Sequence, residues 1–417
     1  MRDFDKIPAA GNGLLDRRVF LRGGIAGGSV LLAAKAGSVE REAWMKAPGA
    51  PMDDNGEPSA HEAHVKRTSV RSTPGTTGTG VSFTPHEHLD GIITPSRLHF
   101  ERHHSGIPAI DPGQHRLVIH GLVEQPLAFD LDSLGRYPTV SRINFLECSG
   151  NSGASLAPQP VQAPLSAVHG LVAASEWGGV PLSVLLDEVG VKPEAKWIIA
   201  DGADSPMMSR SVPMDKAMDD AIVALYQNGE RLRPSNGYPM RLFLPGWEGN
   251  MCVKWLRTIK VTDQPAMTKD ETSKYSDLQP DGSAKLFTFP MGVKSIITNP
   301  SFGMQLGSAG IYQVSGIAWS GSGKIVRVDV SADGGKTWAE AALDEHVLSK
   351  SLTRFRSAWS WDGSPSVIMS RAIDERGNVQ PTRAALLENR SSGFFYHYNG
   401  IQAWQIAETG EVTNVYA

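Results

Sequence analysis

The sequence predicts an α+β protein of two unlike halves, a mixed domain followed by a small all-β domain. Three observations carry this. Short strand patterns alternate irregularly with short helical ones from about residue 85 to 275, without the regular strand-helix-strand rhythm of a parallel sheet. A polar stretch at about 265–290 interrupts the apolar periodicity. Beyond it only strand patterns recur, which a two-sheet sandwich accommodates.

In the first half, His115–His120 alternates around Leu117 and Ile119, Gly121 and Pro126 turn the chain, and Leu127–Leu131 runs back. Val140–Glu147 alternates and ends in the small-residue turn Cys148-Ser-Gly-Asn-Ser-Gly153. Pro181 opens a helix whose Leu182, Leu185, Leu186 and Val189 share one face, and Gly190 closes it. Lys196–Ala200 is a short strand, and Asn228-Gly229 after Ile222–Tyr226 marks a tight hairpin. Met240–Leu244 and Val253–Val261 are two further strands. In the second half, Tyr312–Trp319, Lys324–Val330, Phe355–Trp361 and Val367–Ala372 read as strands, with Asp333-Gly-Gly335 as a turn. The last 30 or so residues, with Tyr396, Tyr398 and Trp404, are expected to pack back on the first domain.

The ends read differently. Asp16-Arg-Arg-Val-Phe-Leu-Arg22 precedes an apolar Gly/Ala-rich run to Ala34, the pattern of a twin-arginine export signal cleaved near Ala36. That run is shorter than the ~20 residues a membrane span requires, so no span is expected in the mature chain. Residues 37–84 are rich in Ser, Thr, Pro, Gly and charge and are expected to form a flexible extension. The expected division is thus 1–36 leader, 37–84 extension, 85–275 mixed domain, 285–385 sandwich and 386–417 C-terminal segment. A leader of this kind directs a folded, cofactor-loaded protein to the periplasm.

A formal charge of −4, from 44 acidic and 40 basic residues, leaves no broad basic face for nucleic acid. Two cysteines exclude a disulfide scaffold, and no Cys-x-x-Cys-His occurs, so no covalently attached haem is expected in this chain. Cys148, where a buried strand opens into a loop, is either a small buried hydrophobe or a thiolate for a metal. Arg102 with His103 and His104 offers an anion or metal site, Arg241 follows a turn with a fork suited to phosphate, and Lys254 adds an ammonium. Neither a Walker loop, a dinucleotide fingerprint nor a His-Glu-x-x-His pair accompanies them.

Taken in order, Phe100-x-Arg102-x-His104, Glu147-Cys148-x-Gly150-Asn151, Glu176-Trp-x-Gly-Val180, Asn228-Gly229, Gly237-Tyr-Pro239 with Arg241, Pro245-Gly246 and Val253-Lys-Trp255 resemble the sulfite oxidase family of molybdenum enzymes. Val328-Asp-Val-Ser-x-Asp-Gly-Gly335 with Trp338 resembles that family's immunoglobulin-like dimerisation domain. The nearest likeness within the family is to its thiosulfate-oxidising sulfane dehydrogenases.

The resemblance implies a molybdenum-molybdopterin cofactor with Cys148 as the metal's thiolate ligand. It implies cofactor contacts from Phe100, Arg102, His104, Asp204, Asn236, Arg241, Cys252, Val253 and Lys254, with Asn236 standing where animal members have histidine. Arg102, Tyr275, Trp177 as a pocket wall and Arg390 from the C-terminal segment would face the substrate. The implied reaction is oxygen-atom transfer to a sulfane sulfur held on a carrier protein's cysteine, with electrons passed to a separate c-type cytochrome subunit in a homodimer-based heterotetramer. Sulfite-oxidising relatives commonly carry two arginines after Cys-x-Gly-Asn. Here Ser152 and Gly153 replace them, an exchange expected to weaken a compact dianion and open room for a larger substrate. The alternatives are a periplasmic sulfite dehydrogenase, a methionine sulfoxide reductase, which would lack the second domain, and a secreted binding protein.

Overall fold

The computed structural model describes residues 8–16, 42–48, 50–52, 54–70, 77–390 and 394–416. Two five-stranded sheets form the first domain. In one, Glu230–Arg231, Ile222–Gln227, Val172–Pro181 and Val140–Glu147 lie side by side and Arg241–Phe243 also pairs with Ile222–Gln227. In the other the order is Leu127–Phe129, Leu117–Gly121, Leu256–Thr262, Trp197–Gly202, Ser209–Pro213. Only the Leu117–Gly121 and Leu256–Thr262 pair there is parallel, as expected where no regular helical crossover links the strands. The predicted helix spans Leu182–Val189 and buries Leu182, Leu185, Leu186 and Val189, with Gly190 at a left-handed φ of 68° ending it. Each such side chain contributes about 2 kcal/mol by leaving water. The hairpin at Asn228-Gly229 pairs Tyr226 with Arg231 and Gln227 with Glu230.

The second domain is the predicted all-β unit, with two antiparallel sheets. One runs Lys294–Asn299, Gly310–Trp319, Thr353–Trp361, Ala342–Leu343; the other runs Ala339–Glu340, Ile325–Ser331, Ser366–Asp374, Ala403–Ile406, Val412–Val415. Trp319, Trp359 and Trp404 are fully buried between them. The same apolar cluster takes in Phe145, Val172 and Ala174 of the first domain, so the strand leading to Cys148 is anchored in both cores.

Three expectations change. The C-terminal segment does not return wholly to the first domain: Ala403–Ile406 and Val412–Val415 complete the second sheet, because Ser366–Asp374 has a free edge that the Ala403–Ile406 backbone satisfies. The extension is not all flexible, since Thr68–Val70 pairs with Gly80–Phe83, which pairs with Glu101–His103. The expected leader also has a structured part. Leu14 is fully buried beside Trp359, the Leu15 N–H donates to the Ala358 carbonyl (3.0 Å) and the Ser360 N–H donates to Gly13 (2.8 Å). The arginine pair and the apolar run lie outside the described residues. Among the described residues no helix is long and apolar enough to cross a membrane.

Candidate active site

Cys148 follows directly on Val140–Glu147, as its sequence context predicts. Its N–H donates to the Leu171 carbonyl (2.9 Å), its carbonyl accepts from the Asn151 N–H (2.8 Å), and Asn151 Oδ1 accepts from the Leu171 N–H (3.1 Å). Ser152 then takes a left-handed φ of 67°, turning the loop back. The thiol borders two adjoining cavities. Burial raises its pKa, opposed by the Gly150 N–H and the Arg102 guanidinium, so a metal would have to displace its proton.

The first cavity is cationic. Phe100, Arg102, His104, Asp204, Asn236, Arg241, Cys252, Val253 and Lys254 all line it, although they come from four separate stretches of chain. The strand Glu101–His103 brings Arg102; the turn before Arg241–Phe243 brings Asn236 and Arg241. Arg241 is buried, donates from one Nη to the Asn236 carbonyl (3.0 Å) and from the other to Cys252 (2.8 Å), and leaves Nε without a partner. Lys254 Nζ lies 2.9 Å from His103 Nδ1 and donates to the carbonyls of Arg102 and Ser235, both at 3.2 Å. Burial, reinforced by Arg241, lowers the Lys254 pKa to about 7, and burial lowers that of Arg241 to about 10. Cations depressed in this way, one with an idle buried N–H, fit an anionic group such as a phosphate, which would relieve both. Among the described residues no cluster of three or more His, Cys, Asp or Glu is placed to hold a metal. A metal bound at the single thiolate would need further ligands from an organic cofactor, which is what a pterin dithiolene provides.

The second cavity is an open cleft of about 670 Å³ over the Cys148 loop. Arg102, His104 and Tyr275 border both spaces. His104 Nε2 lies 2.8 Å from Tyr275 Oη; burial, with Arg102 and Lys254, lowers the His104 pKa to about 4, and burial pushes the Tyr275 phenol up. Both are therefore neutral near pH 7, leaving Arg102 as the fixed charge beside the thiol. Lys269 and Lys274 add cations at the rim.

Two expected substrate contacts are not there. Trp177 lines neither cavity: it is fully buried, stacks on Phe243 (4.6 Å between ring centroids), and stands behind Arg241, whose guanidinium lies 5.1 Å from its ring. Its place within Val172–Pro181 turns the indole into the core, where Nε1 donates to the Asn144 carbonyl (3.2 Å). Arg390 is held by Asp277 (2.8 Å) and lies over Phe394, away from the cleft. The room expected at Gly153 is also not open, since a Cβ built there would lie 2.9 Å from the Phe395 ring.

Behind the loop lies a buried polar chain that the residue patterns do not reveal. Glu147, 1% exposed, accepts from Asn151 Nδ2 (2.9 Å) and from Trp319 Nε1 (2.6 Å), and pairs with Lys294 Nζ at 3.5 Å. Lys294 also donates to Ser152 Oγ (2.5 Å) and to the Tyr398 carbonyl (2.9 Å). With its oxygen so engaged, Ser152 donates to His169 Nδ1 (2.6 Å), and His169 Nε2 donates to Gln402 Oε1 (2.6 Å). Burial and Lys294 lower the His169 pKa to about 3, so the imidazole is neutral, as this directional chain requires. The one advance signal was a lysine, Lys294, set among Val293, Ile296 and Ile297.

Comparisons with known proteins agree with this geometry. Residues 104–269 match the oxidoreductase molybdopterin binding domain, and residues 285–397 match the Mo-co oxidoreductase dimerisation domain. The chain is 30% identical over 332 residues to an NADH nitrate reductase from Ulva prolifera, covering 70% of this chain and 38% of that protein. It is 30% identical over 330 residues to mitochondrial sulfite oxidase from Homo sapiens (72% and 59%), and 30% over 327 residues to sulfite oxidase from Gallus gallus (72% and 70%). The chain thus spans 38% and 59% of the first two of these proteins. The crystal structure of the sulfane dehydrogenase SoxCD from Paracoccus pantotrophus superposes with a TM-score of 0.87 at 45% identity, over 91% of this chain and 98% of that one. With a thiol at a strand end, a cationic cavity that fits a phosphate and a β-sandwich behind it, the chain belongs to the sulfite oxidase family of molybdopterin oxidoreductases.

Proposed function

We propose that this protein is a periplasmic sulfane dehydrogenase, which oxidises a sulfane sulfur carried on the cysteine of a partner protein and delivers the electrons to a c-type cytochrome subunit during thiosulfate oxidation. The observation that carries the reading is the cleft of about 670 Å³ over Cys148, whose floor, the Gly150–Gly153 loop with the Phe395 ring across it, carries no guanidinium. A compact anion would need closer cationic wrapping than that floor provides. The 45% identity to a sulfane dehydrogenase over nearly the whole chain supports the same reading. Free sulfite is the second reading, favoured by Arg102, Lys269 and Lys274 around the cleft.

In this account Cys148 holds molybdenum, while Arg241, Lys254, Asn236 and the Cys252–Lys254 backbone hold the pterin and its phosphate. The bound cofactor supplies two-electron oxygen-atom transfer to sulfur. For each oxygen added, one water is consumed, two electrons leave to the acceptor and two protons leave to solvent. Arg102 orients the terminal sulfur and stabilises negative charge that develops on its oxygens. Tyr275, neutral and positioned by His104, offers its hydroxyl to the same charge. Electrons leave through a docked c-type cytochrome, a reading supported by the likeness to SoxCD. The second domain pairs two such chains, in keeping with the dimerisation-domain model that it matches. The test is mass spectrometry of a carrier cysteine persulfide after turnover in isotopically labelled water. The reading requires labelled oxygen on the carrier-bound sulfur; an unmodified carrier alongside rapid conversion of sulfite to sulfate refutes it.

A further inference from the structure

Phe395 is an exposed aromatic, 52% accessible, in a chain that buries most of its large apolar side chains, and it stands in the cleft over Cys148. Its ring lies across both glycines of the loop below. A Cβ at Gly150 would meet ring atom Cε1 at 3.0 Å, and one at Gly153 would meet Cε2 at 2.9 Å. The absence of side chains at 150 and 153 is therefore what seats this ring. Its position is fixed from behind. The His397 N–H donates to the Ser149 carbonyl (2.8 Å), His397 takes a left-handed φ of 58°, and the Tyr398 carbonyl accepts from buried Lys294. Tyr396 continues the aromatic wall, edge-on to Phe395 at 5.4 Å and 5.4 Å from Tyr275.

We propose that Phe395 is a specificity-determining residue, which fills the space of a side chain at position 153 with an aromatic face and so selects a cysteine-linked sulfane on a flexible polypeptide over a compact sulfur oxyanion. The inference deepens the sulfane dehydrogenase reading and rests on it. An aromatic face gives dispersion contact to the methylene and peptide groups flanking a carrier cysteine. The same face offers no hydrogen bond to a dianion and strips part of its hydration, which costs free energy without return. A guanidinium there would reverse both preferences.

The experiment compares the molybdenum-loaded protein with its electron acceptor as wild type, Phe395→Ala, Phe395→Leu and the double variant Phe395→Ala/Gly153→Arg. Two substrates are used, free sulfite and an unstructured peptide bearing one cysteine persulfide, and affinity is measured separately for an unreactive thioether analogue of that peptide. Phe395→Ala is expected to lower the ratio of kcat/KM for the peptide to that for sulfite by about tenfold or more, the scale of one lost apolar contact in a specificity pocket. Thioether-peptide affinity should weaken in parallel, molybdenum content should hold, and Phe395→Leu should fall between. The double variant should shift the ratio further toward sulfite, because the arginine is then free of the ring. An unchanged ratio and unchanged peptide affinity in Phe395→Ala overturn the proposal; were that variant to misfold, the same comparison in Phe395→Leu decides. If the wild type does not act on the peptide at all, the functional reading is what fails. Phe395 then stands on the sulfite KM alone, which falls in Phe395→Ala if the ring excludes the anion and stays put if it does not.

Discussion

Replacing Lys294 by methionine tests whether the two domains hold the catalytic loop through one buried ion pair. The change keeps the length of the side chain and removes its charge, leaving the Glu147 carboxyl group 1% exposed and without its cation. Breaking a buried pair from one side costs about 3–5 kcal/mol. Glu147 keeps its bonds from Asn151 and Trp319, which places the cost near the lower end. At about 2–4 °C per kcal/mol for a unit of this size, a loss of about 3 kcal/mol lowers Tm by roughly 6–12 °C. Differential scanning calorimetry on the cofactor-loaded protein reads this directly. The double variant Lys294→Met/Glu147→Gln should recover part of the loss, because the uncompensated charge is gone, although the single amide oxygen can serve only one of the two donors, Asn151 Nδ2 or Trp319 Nε1, which bond different carboxylate oxygens of Glu147. A single variant as stable as the wild type, or a double variant no better than the single, would refute the reasoning.

Other perturbations separate the parts of the site. Cys148→Ser should leave circular dichroism and Tm near wild type while turnover falls by about 10³-fold or more and the metal's thiolate absorption disappears, since a serine hydroxyl is a poor substitute for a soft anionic ligand. Tyr275→Phe should lower kcat by about 10²-fold with little change in KM, the effect of losing one donor to developing charge; an equal change in KM alone would make it a ground-state contact. In cofactor-free protein Lys254 contributes stability that grows as pH rises from about 7 to 10.5, the window in which the unfolded residue carries a proton that the folded one has lost, while buried Cys148, Cys252 and Tyr275, whose pKa values are raised, oppose it at the alkaline end. Lys254→Met should remove this contribution and so reduce the slope, and bound cofactor should flatten it, both readable as Tm against pH.

Much of this architecture was legible because local chemistry and fold agree. Asn228 and Gly229 both take positive φ, 52° and 79°, in the hairpin their side chains favour, and Cys148 sits at the end of an alternating strand. The residues lining the cationic cavity were legible only as an ordered set, since their convergence from four stretches is a property of sheet pairing and not of any one motif. The misreadings have physical causes. The pocket-wall role of Trp177 rests on the resemblance alone, and an aromatic beside Gly178 and Gly179 carries no mark of which sheet face it points from; the pairing of Arg142 with Trp177 sets that. Gly153 suggested space, but the occupant comes from Phe395, 242 positions later in the chain. The final strands were missed because Ala403–Ile406 is short and finds its partner only once Ser366–Asp374 has a free edge.

The most direct test of the account is reduction of a c-type cytochrome supplied to the cofactor-loaded protein, first with sulfite alone and then with a carrier protein bearing a cysteine-linked sulfane. The account predicts rapid, carrier-dependent reduction and little response to sulfite. Rapid reduction by free sulfite, with no gain from the loaded carrier, would contradict it.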